Sequence, residues 1–79
     1  MMKVHALVAS VVSAISVGMA FDEVEAIVLA IASDDCAISA PSDVEFGEIV
    51  VGEEWGYQAV ILFDDEDKVE SIDIYDEED

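Results

Sequence analysis

Twenty of the 79 residues are Asp or Glu, and none of the twenty stands before Asp22. A chain charged in this way folds only if its acid-free first quarter supplies much of the core while the rest keeps its carboxylates in water, because burying an unpaired carboxylate is prohibitively costly. Only two residues are Lys or Arg, so the formal net charge is −18. A magnitude of about 2 to 8 keeps a small domain soluble, and charge beyond that destabilises the compact state through self-repulsion. Solubility therefore does not account for the acidity.

Very acidic chains are commonly disordered, but a hydrophobic content of 54% and a mean hydropathy of +0.45 are the opposite of that signature. Residues 1–79 are read as one folded domain, with 76–79 a frayed acidic tail. A core of this size is marginal without a metal, disulfides or oligomerisation, so it must be dense. Cys36 is the sole cysteine, which excludes an intrachain disulfide framework and fits a reducing cytoplasm. Beside Ala37 and Ile38 it reads as a packed residue.

The start imitates a secretory leader: a charged Lys3, an apolar stretch over 6–20, and small residues Gly18 and Ala20 at a plausible cleavage site. Without this segment the remainder would lose much of its core-forming surface, so it is read as part of the fold and the protein as cytoplasmic. Its apolar run is shorter than the roughly 20 residues of a membrane span and contains Ser10, Ser13 and Ser16. Anionic membrane surfaces would repel the rest, so no membrane partner is expected.

Over 3–17 the serines recur every third residue and share one side with Lys3 and Ala6, while Val4, Leu7, Val8, Val11, Val12 and Ile15 trace the other. That spacing predicts a mostly buried helix stopped by Gly18. The β-branched residues lower its propensity and leave a strand as the alternative for its first half. A second helix is expected with Asp22 as N-cap, Glu25 completing a capping box and Phe21 stapling toward Ala26 or Ile27. Val24, Ile27, Val28 and Ile31 continue the pattern until Ser33, Asp34 and Asp35 end it. Asp22, Glu23 and Glu25 complement the helix dipole, with partner binding as their second role.

Beyond Pro41 the period becomes extended. Strands are predicted over 44–51, 57–63 and 69–75, with Cys36 to Ala40 as an optional fourth and Gly47 marking a bulge. Short connections imply antiparallel neighbours. Apolar residues on both faces of 57–63 suggest a central strand or one covered on both sides. The expected class is α+β: two N-terminal helices packed on a three- to four-stranded antiparallel sheet.

Catalytic constellations are missing. His5 is the only histidine, beside a lysine, and reads as a surface or satisfied core residue. There is no Gly-rich phosphate loop, no Cys/His ligand set and no basic patch, so neither catalytic residues, cofactor nor direct nucleic-acid binding is expected. Asp64, Asp65, Glu66, Asp67 and Glu70 offer the oxygen ligands calcium prefers, but an EF-hand counted from Asp64 would need Gly at Val69 and Glu at Tyr75. No dedicated metal site is assigned.

The acids themselves are the candidate site. Ten of the last sixteen residues are acidic, and residues two apart on a strand are about 6.6 Å apart while phosphates on a duplex strand advance about 3.4 Å per base. Carboxylates on a strand can thus approximate a phosphate row. Asp64, Asp65, Glu66, Asp67, Glu70, Asp73 and Asp76 are the expected partner-binding residues. Glu53 and Glu54, next to Trp55 and Tyr57, form a second patch; the tryptophan also suits the core.

In size, charge and layout, with Asp-Asp-Glu-Asp at 64–67 and Asp-Glu-Glu-Asp at 76–79, the chain resembles the small acidic nucleic-acid mimics of phages and mobile elements: anti-CRISPR proteins, anti-restriction proteins and uracil-DNA glycosylase inhibitors. The resemblance implies an inhibitor that occupies the basic nucleic-acid groove of a larger protein, most commonly a CRISPR effector complex, and excludes DNA. The target could equally be a restriction enzyme or a uracil-DNA glycosylase. A haloadapted housekeeping domain, whose acids keep it hydrated in salt, fits the lysine depletion as well. Monomer and homodimer are both compatible with the sequence.

Overall fold

The acid-free start forms helix α1 (Lys3–Ala14) in the computed structural model, which describes residues 3–33, 35–42, 45–52 and 56–76, with side chains from 6 to 75 within those ranges. Val8, Val11 and Ile15 are buried and Leu7 and Val12 pack beside them, while Ala6, Ser10 and Ser13 face water. This is the predicted amphipathic pattern; the side chains of Val4 and His5 lie outside the described residues. The helix stops three residues earlier than expected. Ile15 N–H donates to Val12 O at 3.3 Å, a tightened last turn, and Met19 N–H to Ser16 O at 3.2 Å, with Gly18 at φ 98°. The chain is turning there to reach the sheet.

Helix α2 (Phe21–Ala32) begins one residue before the expected N-cap. Ala20 is the N-cap and offers no side-chain acceptor, so Asp22 lies inside the first turn with Glu23. The backbone supplies what a capping side chain would: Phe21 N–H donates to Asp67 O at 2.8 Å. Phe21, as the first helical residue, is not placed ahead of the cap to staple toward Ala26 or Ile27. It is buried, and its ring meets Phe63 at 4.7 Å between centroids with the planes tilted by 59°. Ser33, with φ 52°, closes the helix by donating its N–H to Leu29 O.

Four strands follow: β1 (Cys36–Ser39), β2 (Glu48–Gly52), β3 (Tyr57–Phe63) and β4 (Val69–Asp76). They form one antiparallel sheet in the order β1-β2-β3-β4. The architecture is α+β, with the optional fourth strand present. Ile49 and Val51, Ala59, Ile61 and Phe63, and Val69 are buried on the inner face under the helices. Both helices lie on that face, so the core is a single layer between helices and sheet, and no buried polar side chain interrupts it among the described residues. Cys36 is half-buried against this core and its thiol lies 3.2 Å from Ser33 O.

Three strand expectations need correction. The strand predicted over 44–51 is β2 and begins only at Glu48; Val44 lies outside the described residues. Gly47 marks a close approach instead of a bulge, since a Cβ there would stand 2.8 Å from Phe21 Cε2 and 3.0 Å from Pro41. The bulge is in β4, where Leu62 pairs with Ser71 and Phe63 with Val69, leaving Glu70 without a partner in the register. Asp76 pairs with Tyr57 and belongs to β4, not to a frayed tail; residues 77–79 lie outside the described ones. No helix among the described residues is long and apolar enough to cross a membrane.

Candidate partner-binding surface

The β3–β4 connection concentrates the acids. Asp64 C=O accepts from Asp67 N–H at 3.0 Å, Asp64 N–H donates to Lys68 O at 2.8 Å, and Asp67 takes the left-handed conformation at φ 62°. This is the three-residue hairpin loop in which a type I turn is followed by a residue at positive φ, a position Asp tolerates better than most side chains. Asp64 holds the loop from inside: its Oδ1 accepts from Glu66 N–H at 2.9 Å and from Lys68 N–H at 3.0 Å. The Lys68 amide, then the Glu66 amide, hold its carboxyl below the ordinary aspartate range, with a smaller contribution from the Lys68 ammonium.

The turn does not stand alone. Phe21 N–H donates to Asp67 O, Val69 N–H to Met19 O at 2.8 Å and Gly18 N–H to Val69 O at 2.9 Å. This backbone seam ties the α1–α2 loop to the start of β4, and Ala20 and Lys68 bridge within it. Consequently the first turn of α2 is drawn beside the hairpin loop. Asp22, Glu66 and Asp67 line a concavity of about 280 Å³ together with Ala20, Phe21 and Pro41. Small-molecule pockets are roughly 300–1,000 Å³, so this volume suits an inserted side chain better than a nucleotide.

Of the residues predicted to bind a partner, Asp64, Asp65, Glu66 and Asp67 come together in this loop. Asp65, Glu66 and Asp67 are exposed, whereas Asp64 is half-buried and committed to the turn. Glu70 is exposed at the bulge just beyond. Asp73 is separated from them: it pairs with Val60, on the sheet face away from the helices. Asp76 pairs with Tyr57 at the opposite end of β4, roughly 24 Å along the strand from Val69. The acids of β4 thus follow a spacing of three around a bulge and form no single row of carboxylates on one face. Glu53, Glu54 and Trp55 lie outside the described residues; Tyr57 is half-buried and packs against the core.

In comparisons with protein-family models, with curated proteins and with solved structures, nothing matched this chain. The reading of the site rests on its own chemistry. Among the described residues no group of three or more His, Cys, Asp or Glu is arranged to hold a metal ion. The arrangement presents anionic acceptors on a backbone fixed by hydrogen bonds, which is suited to receiving Lys and Arg side chains. Asp22 carried partner binding only as a second role in the sequence, behind its service to the helix dipole. Its position in a first turn hinted at a structural role, and nothing local in the sequence says that a loop more than forty residues later packs against it.

Proposed function

We propose that the protein is a nucleic-acid mimic that acts in the cytoplasm by occupying the basic groove of a larger nucleic-acid-binding protein, with a CRISPR effector complex as the target, and that it excludes DNA by competition. It binds and does no chemistry. The observation that carries this reading is the convergence of the 64–67 loop and the first turn of α2 on one acidic concavity held by the Gly18–Phe21 seam. A backbone fixed in this way loses little freedom on binding, and a net charge of −18 steers a cationic partner into encounter.

Asp65 and Glu66 are the residues to test, because neither side chain holds the loop together. In Asp65→Asn/Glu66→Gln the association rate with a purified effector complex should fall, and the salt dependence of affinity should become shallower, with unchanged thermal stability. Target DNA should displace the wild-type protein. Binding that survives saturating target DNA, or a double variant with unaltered rate and salt dependence, would remove this surface as the mimic. A wild-type protein that folds only in salt on the order of molar would favour the haloadapted reading, in which the repulsion is screened only once the Debye length falls from about 10 Å at 0.1 M to about 3 Å at 1 M.

A further inference from the structure

The sequence makes β3 apolar on both faces, yet both helices lie against one of them. On the other, Val60 and Leu62 of β3 and Val50 of β2 remain half-buried, in register as Val50↔Val60 with Glu48↔Leu62 beside them. Ala37 of β1 extends this apolar centre from Val50. Ser71, Asp73 and Tyr75 of β4 border it opposite Leu62, Val60 and Gln58. Tyr75 is 47% exposed, and Phe46, just ahead of β2, is 63% exposed. An apolar centre with exposed aromatic residues and a polar, charged border is the anatomy of a protein interface.

The border says what covers it. Among the described strand residues, Glu48 and Asp73 are the charged ones whose register places them on this face, and both are acidic. A second copy docked face to face would bring carboxylates toward carboxylates and add one charge of −18 to another. We infer that the outer face of the sheet, centred on Val50, Val60 and Leu62, docks an apolar patch ringed by Lys or Arg on a basic partner protein. This rests on the reading that the partner is basic and adds that recognition needs apolar contact as well as charge. The acidic loop governs encounter and the sheet face governs residence, because rim charges act mainly on association and desolvated apolar contacts on dissociation.

Two synthetic probes separate the contributions: an amphipathic Lys/Leu peptide and a polylysine of equal charge, each titrated into methyl-labelled protein and followed by NMR. The Lys/Leu peptide should shift the methyl signals of Val50, Val60 and Leu62, whereas polylysine should leave these in place and shift only the backbone amide signals of the acidic loop, followed in the same protein. Val60→Thr/Leu62→Thr, which places strand-compatible β-branched residues at both positions, should bind the Lys/Leu peptide about tenfold more weakly at an unchanged salt slope. If that variant is unfolded by circular dichroism, the wild-type methyl map alone decides. Identical maps for the two probes would overturn the inference, as would sedimentation showing a dimer that buries these methyl groups. Neither probe contains a nucleic-acid groove, so failure here leaves the mimic reading standing, and failure of DNA competition leaves this face untouched.

Discussion

Asp64 and Asp67 are acidic residues whose first task is the backbone. Asp64 Oδ1 accepts two amide hydrogen bonds, which are stronger to the ionised carboxylate than to the neutral acid or an amide. Because the folded state depresses its pKa, its stabilisation is complete above the unfolded value and is lost as pH falls through the folded one. Asp64→Asn should therefore be less stable than wild type at pH 7, and the gap should close once the pH lies below the folded value, as read by urea titrations on both sides of it. Asp67 occupies φ 62°, where glycine carries no steric penalty. Asp67→Gly should raise stability by about 0.5 kcal/mol, the relief of left-handed strain exceeding the added flexibility of the unfolded chain. Gly47 is the reverse case. Its missing Cβ leaves room for Phe21, itself pinned on Phe63, so Gly47→Ala should cost about 1–3 kcal/mol by overpacking.

The elements depend on one another through the aromatic pair between helix and sheet. Phe63 is 1% exposed and anchors the end of β3 on Phe21. Phe63→Ala should cost about 3–5 kcal/mol, a large part of the roughly 5–15 kcal/mol typical of a domain. A loss of the cooperative urea transition at 37 °C would fit; a cost below about 1 kcal/mol would show that the pair is peripheral. Much of this fold was legible because its signals are local. The serine spacing of α1, the β-branched and aromatic run of β3 and the acidic breaks between strands each report one element at a time. The start of α2 was misplaced because its cap is a carbonyl from Asp67, and carbonyls leave no trace in a sequence. The β4 bulge escaped for a similar reason, since Glu70 reads as an ordinary strand residue until its register with Leu62 and Phe63 is known. Likewise, the loop acids could be picked out directly, while their meeting with Asp22 depends on a tertiary seam.

Across the whole molecule, repulsion among like charges works against the fold. A charge of −18 on 8.5 kDa opposes compaction, and salt screens it with a Debye length of about 10 Å at 0.1 M and 3 Å at 1 M. The melting temperature should climb steadily between about 10 mM and 1 M NaCl in calorimetry, from a protein already folded at the lower end; a flat profile would mean that the charges are too dispersed to act on folding. The seam between Gly18–Phe21 and the start of β4 has a consequence in time. It closes a loop of about fifty residues, and the entropy of that closure must be met before its three hydrogen bonds form. The β3–β4 hairpin, by contrast, needs only neighbours in the chain. During refolding the hairpin amides should accordingly gain protection from exchange ahead of the Phe21 and Val69 amides, which should become protected together. The protein would then acquire its charged loop early and the finished geometry around it late, so a nascent or partly refolded chain could attract cations before its surface has taken its final shape.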